Sequence, residues 1–123
     1  MKKCLIIVNA YSRLKSSLNQ SERLRCEFAR LGVEADVRPN DFFACEVAEG
    51  GALSCAGGGY DFCVYLDKDK YAARMLEKRG VRLFNSARAI EDCDDKMLTA
   101  IALSDLGIPM PRTLPGRLCY TPE

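Results

Sequence analysis

Apolar positions along the chain follow two periods, and the switches between them mark out the elements. Cys4-Leu5-Ile6-Ile7-Val8 is an unbroken apolar run ended by Asn9. A run without polar alternation suits a parallel strand covered on both faces. A polar stretch follows from Tyr11 to Leu18. Asn19 with Glu22 three positions on is compatible with a capping box that opens a helix. Leu24, Phe28 and Leu31 then recur at i, i+4 and i+7, and Gly32 closes the helix. Val33, Ala35 and Val37 alternate with Glu34, Asp36 and Arg38, a second strand stopped by Pro39. Strand, helix and strand in this order predict parallel pairing with a right-handed crossover.

Residues 40–59 carry the weakest pattern. Phe42-Phe43-Ala44-Cys45 suits a short helix, and Gly50-Gly51 and Gly57-Gly58-Gly59 break the chain, so a loop with one or two helical turns is expected. Tyr60 to Leu66 is a third strand, followed by the polar Asp67-Lys68-Asp69-Lys70. Ala72, Met75, Leu76 and Arg79 trace a helix from about Asp69, closed by Gly80, and Val81 to Phe84 is a fourth strand. Ser86 suits the cap of a short helix through Ile90. Asp94 or Asp95 suits the cap of a longer one, with Met97, Leu98, Ile101, Ala102 and Leu106 as its apolar stripe and Gly107 at its end. Pro109 and Pro111 force an extended exit.

These elements predict an α/β fold, an open and mostly parallel sheet of about four strands with helices on both faces. Ligands of such sheets approach the carboxyl ends of the strands. Here those ends are Asn9 to Arg13, Pro39-Asn40-Asp41, Asp67 to Lys70, and Asn85-Ser86.

Composition narrows the chemistry. Lys and Arg total 18 against 17 Asp and Glu, a net charge of +1 that lacks the footprint of a nonspecific nucleic-acid or anionic-membrane binder. No apolar run approaches the length of a bilayer span, and the run after Lys3 is too short for an export signal, so a cytoplasmic protein is expected. The sequence has no histidine, which removes His-based triads and His metal ligands from this chain. Its seven cysteines form no CxxC pair, so buried, reduced thiols are expected rather than a zinc or redox site. No Gly-Lys pair occurs, and the first strand is followed by Asn9-Ala10-Tyr11-Ser12-Arg13 with no glycine, which excludes both a Walker loop and a dinucleotide fingerprint. Asp69 at a helix start, with the neighbouring lysines in water, accounts for the Asp-Lys-Asp-Lys run better than catalysis does. Asp92, Asp94 and Asp95 match no calcium loop, and helix capping accounts for them.

The stretch from Val81 to Thr113 adds an ordered set of motifs. It holds a strand ending in Asn85, a short Ala89-Ile90 helix, Asp95-Lys96, a helix through Leu103, and Gly107-Ile108-Pro109-Met110-Pro111-Arg112-Thr113. This set resembles the segment that closes the N-terminal domain of ATP-grasp ligases, most closely the RimK-like (α-L-glutamate ligase-like) carboxylate–amine ligases. The resemblance implies a pre-ATP-grasp, Rossmann-like domain over residues 1–114, with 115–123 as a lead-out to an absent ATP-grasp domain of the same full-length chain. It further implies a ligase that phosphorylates a carboxylate with ATP and Mg²⁺, giving an acyl phosphate that an amine attacks. This domain would supply a wall of the cleft and not catalyse alone. Lys96 would reach the ATP phosphates in the full-length protein, while the metal ligands would lie in the absent domains. Asn9, Tyr11, Ser12 and Arg13 would face a small carboxylate or amino-acid substrate, with Arg13 suited to pair with a carboxylate. Neither nucleic acid nor a membrane is an expected partner. The alternative is a stand-alone α/β module, derived from such a domain, that binds a partner or a small ligand. An exposed apolar face around Leu114, Leu118 and Tyr120 would favour the larger ligase.

Overall fold

A computed structural model describes residues 1–12, 15–42, 45–55 and 58–116. The fold is α/β. Strands β1 (Lys2–Val8), β2 (Val33–Pro39), β5 (Phe62–Leu66) and β6 (Leu83–Phe84) form one parallel sheet in the order β2-β1-β5-β6. Helices α1 (Lys15–Arg30), α2 (Lys70–Lys78), α3 (Ala87–Asp94) and α4 (Lys96–Ala102) connect or follow the strands, and β3 (Cys45–Val47) pairs with β4 (Leu53–Cys55) as a separate antiparallel hairpin.

The two faces of the sheet follow from strand parity. Leu5 and Ile7 of β1 and Cys63 and Tyr65 of β5 point to one side, where Ala72, Ala73 and Leu76 of α2 and Ala87 and Ile90 of α3 complete the core. Cys4, Ile6 and Phe62 point to the other, where Phe62 meets Phe28 of α1 edge-on with 5.7 Å between ring centroids. All of Cys4 to Ile7 is buried, which is why the run shows no alternation. Pro39 ends β2 at the sheet edge, where a residue without an N–H costs no ladder bond.

Local signals place the helices on the core side. Asp69 caps α2, its carboxylate accepting from the N–H groups of Tyr71 (3.0 Å) and Ala72 (3.2 Å). At the other end Gly80 takes a positive φ of 85°, its N–H donating to Glu77 O while that of Val81 donates to Leu76 O. This is a Schellman closure, and the buried Leu76 and Val81 supply its hydrophobic contact. Ser86 caps α3 by accepting from Ala89 N–H at 3.2 Å, and the Glu77 carboxylate accepts from Ala87 N–H at 2.9 Å, tying α3 to the end of α2. Arg74 and Glu91 add a paired-donor ion pair across the same two helices.

Several expectations are corrected. The first helix begins at Lys15, so Asn19 and Glu22 lie inside it and form no capping box; Glu22 instead pairs with Arg25 on the next turn. The fourth strand pairs only over Leu83–Phe84, and α3 runs on to Asp94 rather than stopping at Ile90. Residues 40–59 contain one 3₁₀ turn, Asn40–Phe42, and then the hairpin; Phe43 and Ala44, expected in a short helix, lie outside the described residues. The last helix stops at Ala102, and its stripe packs against no core: α4 has no buried residue. The cysteines also divide differently. Cys4 and Cys63 are buried as expected, burial pushing the Cys63 thiol up to about 12. Cys26 and Cys93 are exposed, and Cys45 and Cys55 form a disulfide as directly opposed residues of the hairpin. Cys119 lies outside the described residues. No described helix is long and apolar enough to cross a membrane.

Candidate functional site

The strand order has one switch point. From β1 the chain crosses to β2 on one side and later to β5 on the other, so the carboxyl ends of β1 and β5 diverge into a crevice. In open α/β sheets this is where ligands bind. Val8 is level with Leu66, which sets the next residues, Asn9 and Asp67, beside each other. Asn9 Nδ2 donates to Asp67 Oδ1 at 2.8 Å, and Asn9 Oδ1 accepts from Tyr11 N–H at 2.8 Å. From the far side, Asn40 Oδ1 accepts from Ala10 N–H at 2.8 Å. Two asparagines therefore fix the first residues after β1, Asn9 to Tyr11.

Asp67 is the unusual member. Only 9% of it is exposed, and its Oδ2 is buried with no hydrogen-bond partner among the described residues. A carboxylate oxygen in that position carries its full desolvation cost. The adjacent Lys68 does not neutralise it, because Lys68 Nζ pairs with Asp94 Oδ1 at 2.5 Å and that bond raises the lysine pKa. Tyr65 is engaged too, its hydroxyl donating to Asp69 O at 2.7 Å, and burial pushes its phenol upward. Asp67 lines two adjoining cavities. One, of about 240 Å³, lies between the strand ends against Asn9, Ser12 and Gln20. The other, of about 280 Å³, extends under α3 to Asn85, Ile90 and Cys93.

The expected site residues separate. Asn9 and Ser12 line the first cavity; Tyr11 is 82% exposed and contributes its backbone N–H to the Asn9 turn. Arg13 lies outside the described residues. Lys96 is an exposed residue in the first turn of α4, whose cap is Asp95, accepting from Met97 N–H (2.8 Å) and Leu98 N–H (3.0 Å). Among the described residues no three His, Cys, Asp or Glu side chains converge on a metal-sized point. Asp92, Asp94 and Asp95 are divided among an Arg88 contact, the Lys68 pair and the α4 cap. Asp67 belongs to a strand end that the sequence marks for ligands, but the Asp67-Lys68-Asp69-Lys70 run is accounted for there by the Asp69 cap and Asp67 is not singled out. The signal was its place directly after an apolar strand at the switch point, where the next aspartate, Asp69, already explained the helix.

No protein-family model matches the chain.

Proposed function

We propose that this chain is the N-terminal domain of an ATP-dependent carboxylate–amine ligase that works through an acyl phosphate. The observation that carries the reading is the ordered motif from Asn85 to Thr113, which occupies the elements its residue types call for. Asn85 follows the end of β6, Ala89-Ile90 lie in α3, Asp95-Lys96 open α4, Gly107 turns at a positive φ of 70°, and the two prolines lie in a segment without helix or strand. The uncovered surface of the same segment supports it. Ile101 is 56% exposed, Leu106 64% and Leu114 71%, with Leu98, Ile108 and Met110 also exposed beside them. A helix whose apolar stripe meets no core of its own suits packing against a further domain of the same protein. Leu118 and Tyr120, expected on that face, lie outside the described residues.

The residues present fit only the edge of a nucleotide site. Lys96, exposed at the start of α4, suits a phosphate contact once an ATP-grasp domain closes over it. The chain groups no carboxylates for Mg²⁺ among the described residues, and this reading assigns the metal to the absent domains. The crevice at Asn9, Ser12 and Asp67 forms the wall that faces a small carboxylate or amino-acid substrate. The protein works in the cytoplasm in this reading, where the Cys45–Cys55 disulfide would meet a reducing environment.

The test is ATP turnover by the full-length gene product with Mg²⁺ and a panel of amino acids. ADP and phosphate formed only when both an acid and an amine are present is the expected result; AMP and pyrophosphate would overturn the acyl-phosphate chemistry. Lys96→Ala in that protein weakens ATP affinity, and unchanged affinity would remove Lys96 from the site.

A further inference from the structure

We infer that the crevice between the carboxyl ends of β1 and β5 is a binding subsite for a primary ammonium group, with the Asp67 carboxylate as its counter-ion. Three observations meet there. Asp67 is nine-tenths buried and its Oδ2 has no partner among the described residues, so it retains unsatisfied acceptor capacity at a position that costs stability. The one cation adjacent in sequence, Lys68, is held by Asp94 instead. The cavity that Asp67 lines is about 240 Å³, room for the end of a small molecule, and it sits at the topological switch point.

The chemistry of the lining selects the ligand class. A divalent cation needs several hard oxygen donors, and no second acidic side chain lines this cavity. A primary ammonium needs one anionic acceptor and neutral oxygens for its other N–H groups; Asp67 stands with the Ser12 and Gln20 side chains at the same cavity, and Lys68, which also lines it, has its ammonium paired with Asp94. Oδ2 is occluded as it stands, so the ligand is reached by turning the soft terminal torsion of Asp67, which exchanges the Asn9 Nδ2 bond to Oδ1 for the contact with the ammonium. The subsite rests on the ligase reading only in making this ammonium part of a substrate; the binding itself does not depend on it.

The test is an amide-resolved NMR titration of the chain with methylammonium chloride. Saturable shifts at Asn9, Asp67 and Lys68 are expected, with a dissociation constant on the order of 10 mM, near the ceiling for two heavy atoms. Asp67→Asn keeps the acceptor for Asn9 and should fold, which its own amide spectrum reports; it should weaken binding at least tenfold. Tetramethylammonium, of equal charge without N–H donors, should give no saturable shift. Absent saturation with methylammonium, an undiminished response in Asp67→Asn, or saturation by MgCl₂ in its place would each overturn the subsite. ADP formation by the full-length protein with no methylammonium response would overturn the subsite alone, whereas binding without ligase activity would overturn the ligase reading alone.

Discussion

Removing the Asn9 side chain tests whether the Asp67 carboxylate is held in a partly dry crevice. In Asn9→Ala the donor to Asp67 Oδ1 is lost, leaving both carboxylate oxygens without a protein partner among the described residues. A hydrogen bond to a charged group contributes about 1.5–3 kcal/mol net, and Asn9 itself is exposed, so the lower end applies, about 1.5 kcal/mol. The second bond, from Tyr11 N–H to Asn9 Oδ1, adds little because water replaces it at an exposed site. For a chain of 123 residues the unfolding entropy near the midpoint is about 0.26 kcal/mol per degree, so Tm should fall by about 6 °C. The charge is isolated by repeating the change in an Asp67→Asn background, where a neutral amide accepts the bond and the loss should be about 0.5 kcal/mol. The coupling energy of the cycle is then about 1 kcal/mol. Circular dichroism melts with urea titrations at constant m measure all four proteins. An Asn9→Ala loss below about 0.5 kcal/mol, or equal losses in both backgrounds, would refute the account of Asp67 as a desolvated charge steadied by Asn9.

Other consequences follow from the packing and the ion pairs. Leu76 is fully buried between α2 and the sheet, so Leu76→Ala should cost about 2–5 kcal/mol in urea unfolding; a loss under 1 kcal/mol would contradict the core assignment. Glu91 lies below its ordinary value of 4.5 because of its hydrogen bond with Arg74, so the α2–α3 tie contributes stability above that pH and loses it as pH falls through the lowered value. The Tm gap between the native protein and Arg74→Gln should therefore narrow below about pH 4.5, and a gap that stays constant to pH 3 would remove the pair from the stability account. Iodoacetamide at neutral pH should label Cys26 and Cys93 in the folded protein and reach Cys4 and Cys63 only on unfolding, because burial raises both buried thiols. Fast labelling of Cys63 without unfolding would contradict the closed core.

How much of this was legible in the sequence depends on whether one residue had one duty. The strands of the main sheet and the ends of α2 were readable because Asp69 and Gly80 each carry a single local signal: a cap acceptor and a left-handed turn. The start of α1 was not, since Asn19 and Glu22 have the spacing of a capping box yet lie inside a helix that already runs from Lys15, whose described first-turn residues are exposed and carry no apolar period to mark it. The hairpin was hidden by its shortness. Its arms are three residues each, too few to show alternation, although Cys45 and Cys55 stand symmetrically about Gly50 and foreshadow the cross-strand pair. The stripe of α4 was visible as a helix period, but a period does not say what covers it, and here no residue of the helix is buried. At the candidate site the crevice was predictable from topology alone. The isolation of Asp67 was not, because it depends on Lys68 turning to Asp94, a partner on α3 that sequence order does not place beside it.

The most direct measurement is the intact mass of the native gene product in its own cells, since the ligase account requires further domains. A species several-fold heavier than 13.7 kDa, containing this sequence at its N-terminus, is the predicted result. A native species of 13.7 kDa would contradict the single-chain ligase account.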